Sequence, residues 1–306
     1  MISEIATPKR SEADRWVSLP ERGTSAPLGL IGWIAERVGR APARLLLCPI
    51  TVYFLITANT ARRASYEFLK RVRGGAIHWW RALHHFYYFA ATILDRVYLL
   101  RGEFDRFSIT IHGKEALREQ NGDGKGCVLL GSHLGSFEVL RALAVMQGGF
   151  SLKVLMDTTH NQNISRFFDG LNPTIADTVI APDRPDTLIR VRESLDAGAF
   201  VGMLGDRVFG AEKTTRCDFL GAPVIFPAGP ILLAAMMRCP IILFFGLYRG
   251  GNRYDIYFEH FADEVVLNRE HRAEEIQRWM QRYVARLEHY ARAAPYNWFN
   301  FYSFWD

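Results

Sequence analysis

Downstream of Arg101 the chain turns from long helical runs to a regular alternation, and that alternation limits what it can fold into. Apolar runs of strand length occur at Phe107–Ile111, Cys127–Leu130, Leu152–Met156, Phe200–Leu204 and Ile241–Tyr248. Helical stretches separate several of them, at Phe137–Met146, Ile164–Gly170, Thr187–Ala197 and Pro230–Met237. A strand covered on both faces reads as an unbroken apolar run, and parallel neighbours need a crossover helix between them. The pattern predicts an α/β domain over residues 101–306, with a mixed, largely parallel sheet flanked by helices. Tyr254–Phe258 reads as a further strand, returned through the turn Arg249–Asn252, and Glu270–Arg292 as a closing helix. The polar stretch Gly210–Cys217, with Lys213 and Arg216, reads as a solvated loop.

Two other segments precede this domain. Residues 1–27 are a polar tail carrying Pro8, Pro20 and Pro27, without the apolar centre of a secretory signal. Residues 28–100 are expected to form a membrane-associated helical region with N-terminal helices. Its centre is Leu45–Ala58, 14 residues, where a helix crossing a bilayer needs roughly 20. Arg37, Arg40 and Arg44 precede the run and Arg62 and Arg63 follow it, so the basic flanks give no orientation. Pro49 is expected to kink it. A monotopic or re-entrant element is the favoured reading, with a spanning helix and a buried core helix as alternatives. Ala76–Leu100 holds Trp79, Trp80, Phe86, Tyr87, Tyr88 and Phe89, which suits either a membrane interface or a core helix.

Charge placement agrees with a lipid surface. Residues 1–73 hold 12 Lys/Arg against 6 Asp/Glu, and the remainder 25 against 26. Basic residues around an apolar run point to an anionic membrane surface and away from nucleic acid. The four cysteines, Cys48, Cys127, Cys217 and Cys239, form no C-x-x-C pair and are expected as buried free thiols. No histidine falls in a ligand set, so no metal and no structural zinc is expected. No P-loop and no G-x-G-x-x-G follows a strand, so no cofactor is expected either.

The chemistry is concentrated at the end of the first buried strand, in Cys127-Val-Leu-Leu-Gly-Ser-His-Leu-Gly-Ser-Phe-Glu138. Ligands of open α/β sheets sit beyond the carboxyl ends of strands. Gly131 and Gly135 allow close approach, and Ser132 and Ser136 flank the turn. His133 and Glu138 lie five apart, which on one regular helix turns them about 140° from each other. With His133 on the loop and Glu138 in the first helical turn the two can meet. A carboxylate on one imidazole nitrogen then raises the basicity of the other, which takes a proton from a hydroxyl. No G-x-S-x-G elbow supplies a serine nucleophile. A loop histidine bonded to nearby backbone is the plain alternative.

His133-Leu-Gly-Ser-Phe-Glu138 resembles the H-x4-D/E motif of glycerolipid acyltransferases, and more narrowly that of the late lipid A acyltransferase branch. The similarity continues in order through Asn163–Phe168, Gly205–Gly210, Phe219–Pro223 with Pro227–Ala235, and the aromatic tail Tyr296–Trp305. Arg207-Val208 and the tail depart from the branch's pattern, which leaves the acceptor open: lipid A, an ornithine-type lipid or an aryl polyene. The resemblance implies a membrane-associated enzyme on the cytoplasmic face of the inner membrane. It implies O-acyl transfer from an acyl thioester, on acyl carrier protein or coenzyme A, to a hydroxyl of a membrane lipid or glycolipid acceptor. It makes His133 and Glu138 the catalytic pair, with Ser132, Gly135, Arg166, Asp206 and Arg207 around the substrate. Two other readings stay open: a thioesterase with water as acceptor, and a non-catalytic membrane lipid-binding protein. Cys127–Leu130 and Pro230–Met237 are expected to floor the acyl pocket.

Overall fold

The computed structural model describes residues 37, 39–122, 124–140, 151–156, 178–210 and 212–305. Three helices come first: α1 (Arg40–Thr57), α2 (Asn59–Arg73) and α3 (Trp79–Leu100). There follow β1 (Ser108–His112), α4 (Lys114–Gly122), β2 (Val128–Gly131), β3 (Leu152–Leu155), β4 (Val179–Ile180), α5 (Thr187–Asp196) and β5 (Phe200–Leu204). The chain continues through β6 (Thr214–Phe219), β7 (Ala222–Pro227), α6 (Gly229–Met237), β8 (Ile241–Tyr248), β9 (Arg253–Ala262) and α7 (Arg272–Ala293). Seven strands form one sheet in the order β1-β9-β8-β2-β5-β3-β4. All its pairings are parallel except the β8–β9 hairpin. The mixed, largely parallel α/β fold expected from the alternation is therefore present.

The period of two along a strand sorts its side chains onto opposite faces. In β8, Ile241, Leu243, Phe245 and Leu247 join the core shared with α5, α6 and α7. Ile242, Phe244 and Tyr248 join a second core with α1 and α3. β2 and the residue before it divide likewise: Val128 and Leu130 on the first side, Cys127 and Leu129 on the second. Complete burial of such a side chain is worth about 1.5–3 kcal/mol, so both layers of helices are held on hydrophobic area. α6 carries Ala234 fully buried against the same core as Val128 and Leu130, where an acyl-pocket floor was expected.

The N-terminal helices are integral to this packing. α1 buries only a stripe, Ala43, Leu47, Thr51 and Leu55. Its outward face stays apolar, with Leu45 73%, Ile56 65% and Tyr53 61% exposed. Trp79 and Trp80, opening α3, are exposed as well. The aromatic helix is a packed core helix with exposed rings at its start. His85 is fully buried in it, between the Ser65 hydroxyl at 2.8 Å and the Trp298 carbonyl. Burial pushes this imidazole down to about 4, so it is a neutral structural group.

Three expectations change. Pro49 lies inside a continuous α1, so one missing N–H is tolerated within the eighteen-residue helix. Cys48 is exposed because it falls on the outward face of α1, while Cys127, Cys217 and Cys239 are buried; all four thiols are free. Residues 214–217, read as loop, form part of β6, which pairs antiparallel with β7. Leu220 and Gly221 turn the hairpin with φ of 52° and 79°. Two positive values in a two-residue turn match the twist of paired strands, and glycine serves the second position without strain. Alternate residues Cys217, Phe219, Val224 and Phe226 are buried, which is what holds this hairpin to the body.

Candidate active site

β2 ends at Gly131, and its carbonyl accepts both the Tyr283 hydroxyl at 2.7 Å and the Gly205 N–H at 3.0 Å. The loop that follows is held on two sides. Gly135 N–H donates to the Asn297 carbonyl at 2.8 Å, and Ser136 N–H to the Gly246 carbonyl at 2.7 Å. Phe299 N–H donates to the His133 carbonyl at 2.8 Å. The C-terminal segment after α7 therefore lies antiparallel against the loop, with Leu134 bridged to Trp298.

Gly135 is required there. Its φ is 86°, and a Cβ at this position would stand 2.1 Å from the Gly246 carbonyl oxygen. Gly135→Ala is expected to cost about 1–3 kcal/mol in backbone strain and to displace His133. Thermal unfolding together with turnover checks this, and an alanine variant of unchanged melting temperature and activity would refute it.

The partner of His133 is Asp206. His133 Nδ1 donates to Asp206 Oδ1 at 2.9 Å, and the His133 backbone N–H donates to Oδ2 at 3.0 Å. Asp206 follows β5, the strand beside β2, so two adjacent strand ends deliver the pair. Its remaining contact is the Asn300 amide, donating to Oδ2 at 2.7 Å. Burial works against the Asp206 charge, but His133, Arg207 and Asn300 together hold its carboxyl below the ordinary range. Burial, aided by the Arg207 charge, pushes the His133 imidazole down, against the pull of Asp206. The ring is therefore neutral near pH 7 and, having spent Nδ1–H on Asp206, presents Nε2 as an acceptor.

The expected pairing of His133 with Glu138 is corrected by this geometry. Glu138 opens the next helix, is buried, and meets Arg96 of α3 at 2.9 Å. The five-residue spacing leaves the carboxylate on the helical side of the loop, while the imidazole turns to β5. Glu138 thereby ties the N-terminal helices to the loop. Arg207 is turned to the C-terminal segment, its Nε donating to Asn300 Oδ1 at 2.7 Å and its Nη2 to the Phe299 carbonyl at 3.2 Å. Ser132 is buried between β2 and His133. Arg166, with the Asn163–Phe168 segment, lies outside the described residues. Lys213 lines a cavity with Thr214, Thr215, Arg272 and Ile276, to which His133 and Asp206 do not contribute. Among the described residues no cluster of His, Cys, Asp or Glu is placed to hold a metal ion.

Sequence reasoning overlooked Asn297 and Asn300. Both are buried polar residues in an aromatic run, and a buried polar group needs a partner. Asn297 answers with two bonds to the Tyr248 backbone, at 2.7 and 3.0 Å.

Fold and site together define an α/β protein whose histidine and carboxylate stand side by side at two strand ends, an arrangement suited to moving a proton. The family of bacterial lipid A biosynthesis acyltransferases matches residues 95–306, most of the chain, and the chain belongs to that family. The activity class is accordingly acyl transfer. No curated protein matches the chain.

Proposed function

We propose that this protein transfers a fatty acyl group from a thioester, carried by acyl carrier protein or coenzyme A, to a hydroxyl of a membrane lipid or glycolipid. The observation that carries the reading is the His133–Asp206 pair at the strand ends, with Nε2 left as the accepting nitrogen. His133 Nε2 takes the proton of the acceptor hydroxyl as its oxygen attacks the thioester carbonyl. The C–S bond then breaks, and the departing sulfur receives the proton back from the imidazolium. Asp206 holds the ring in one tautomer and stabilises its charge while it carries that proton. Glu138 serves by anchoring the loop to Arg96.

Incubating the protein in lipid vesicles with acyl carrier protein or coenzyme A bearing a labelled acyl chain, then resolving the products, tests this. A labelled lipid is expected. Free fatty acid would indicate a thioesterase, and absence of turnover with either thioester would indicate a lipid-binding protein.

The outward face of α1 supports attachment to the cytoplasmic face of the inner membrane. α1 is long and apolar enough to cross a bilayer, with 22% of it buried. Ala43 and Leu47 pack on the second core, which supports a monotopic helix lying along the body, with Trp79 and Trp80 at headgroup depth. Leu45→Glu with Ile56→Glu changes two exposed positions and leaves the core intact. Each lost apolar side chain is worth about 1.5–3 kcal/mol, so vesicle binding should weaken at least tenfold. High salt alone should not release the wild type, because screening leaves apolar burial untouched. Cosedimentation with anionic vesicles reads both, and unaltered binding of the double variant would dismiss this face.

A further inference from the structure

We propose that Asn300 is a positioning residue for proton transfer at His133, orienting the Asp206 carboxylate and coupling it to Arg207. The inference rests on the reading of His133 as the general base, and it adds a member from the C-terminal segment that lies 94 residues from Asp206 in sequence.

Asn300 is 2% exposed. Its amide has one permitted orientation. Arg207 has only donors and Asp206, when ionised, only acceptors. The oxygen of Asn300 therefore faces Arg207 Nε at 2.7 Å, and its NH2 faces Asp206 Oδ2 at 2.7 Å. The carboxylate is thus fixed by three donors: the His133 ring, the His133 backbone N–H and the Asn300 amide. Without the third, Oδ2 has a single backbone donor, and the plane of the carboxylate relative to the imidazole is set less firmly.

The neighbouring backbone shows that the whole segment serves this point. Phe299 N–H donates to the His133 carbonyl, and the Phe299 carbonyl accepts from Arg207 Nη2. Asn297 accepts from Gly135 N–H through its carbonyl. One stretch of chain thus grips the histidine loop and the Asp206–Arg207 turn together. Only an amide satisfies both sides of Asn300. An aspartate would face Asp206 with a second set of acceptors. A leucine would leave Asp206 Oδ2 and Arg207 Nε each short of a partner in a buried place.

Asn300→Asp and Asn300→Leu, each branched at Cγ like the original, test the inference by different routes. The reaction is followed as thiol release from lauroyl-, myristoyl- and palmitoyl-acyl carrier protein in vesicles containing total bacterial lipid extract. In Asn300→Asp two buried carboxyl groups share one proton beside the imidazole, so the acid limb of the rate profile should be displaced from the wild-type position by about one pH unit. In Asn300→Leu turnover should fall roughly tenfold to a hundredfold, less than the ~10⁴ seen when an orienting carboxylate is itself neutralised. The donor KM should stay within about twofold, since the amide acts on geometry and not on ground-state binding.

Folded variants with wild-type turnover and pH profile would overturn the proposal. So would variants that lose melting temperature and activity together while the residual activity keeps the wild-type pH limb, or failure of both variants to fold, because Asn300 would then serve only the fold. His133→Ala is assayed beside them. If that variant turns over normally the general-base reading itself falls; if it is inactive and the Asn300 variants are normal, only this inference falls.

Discussion

His133→Ala is expected to lower turnover by about 10²–10⁴, the span that a positioned general base contributes. The same loss should appear in kcat and in kcat/KM, because the imidazole acts on the proton in flight and not on the bound thioester. Asp206→Asn should come close to it. The amide has one acceptor where the carboxylate has two, and it offers an N–H toward either ring or amide donors. A pH profile adds an independent reading. The imidazole must be neutral to accept a proton, and burial holds its pKa below the ordinary histidine value. Activity should therefore be on its plateau at neutral pH and fall as pH drops through a limb below about 6.5. In Asp206→Asn the attraction that favours imidazolium is gone, so this limb should move lower still while the plateau drops. Steady-state rates across pH for the three proteins decide the matter. A His133→Ala variant with near-normal turnover, or a limb above the ordinary histidine value, would end the case for this base.

How far the sequence carried the fold depended on burial. β5 and β8 were legible to the residue, Phe200–Leu204 and Ile241–Tyr248, because strands covered on both faces show unbroken apolar runs. The hairpin of β6 and β7 was hidden because one face is in water. Lys213, Arg216 and Asp218 break the apolar run, and Pro223 and Pro227 suggest loop. The alternation of Cys217 and Phe219, resumed by Val224 and Phe226 after a Leu-Gly turn, was the available signal. In the site, His133 could be found from its place after a strand. Its partner could not. Local spacing offers Glu138, five residues away, whereas Asp206 is 73 residues away and becomes a neighbour only because β5 lies next to β2. Strand order is a long-range property, and an aromatic tail gives no hint that its two asparagines close the same site. The apolar run at Leu45 was legible in part: it signals burial but not in what. Protein takes one stripe of α1 and leaves the other face apolar and exposed.

A few polar groups reinforce the apolar stripe that attaches α1 to the body, and the largest effect on stability is expected at one of them. Asp95 of α3 is fully buried. It accepts from Arg40 Nε and Nη2, both at 2.8 Å, and from the Tyr254 hydroxyl at 2.9 Å. Arg44 stands 3.8 Å away and bonds the Tyr248 hydroxyl. Arg40 also donates to the Gly251 carbonyl at 2.6 Å, so two arginines of α1 reach the β8–β9 turn across one aspartate. Burial pushes the Asp95 carboxyl up, against the pull of Arg40 and Arg44. Removing one member of such a set costs more than the set contributes, since the partners stay behind without compensation. Asp95→Leu should therefore lower stability by about 3–5 kcal/mol, a large share of the roughly 5–15 kcal/mol that holds a domain folded. Arg40 can swing its guanidinium outward, being 15% exposed, but the Tyr254 hydroxyl cannot leave the core. Adding Arg40→Met and Tyr254→Phe to Asp95→Leu should recover most of the loss, because the unpaired groups go with the charge. Denaturant midpoints in detergent for the single and triple variants measure both terms. A loss below about 1 kcal/mol for Asp95→Leu would place this cluster among ordinary surface ion pairs. A triple variant no better than the single one would show that the aspartate itself, and not its stranded partners, carries the stability. With α1 released, hydrogen exchange should rise first in the Gly250–Arg253 turn and then in Tyr248, whose backbone is bonded to Asn297 beside the histidine loop.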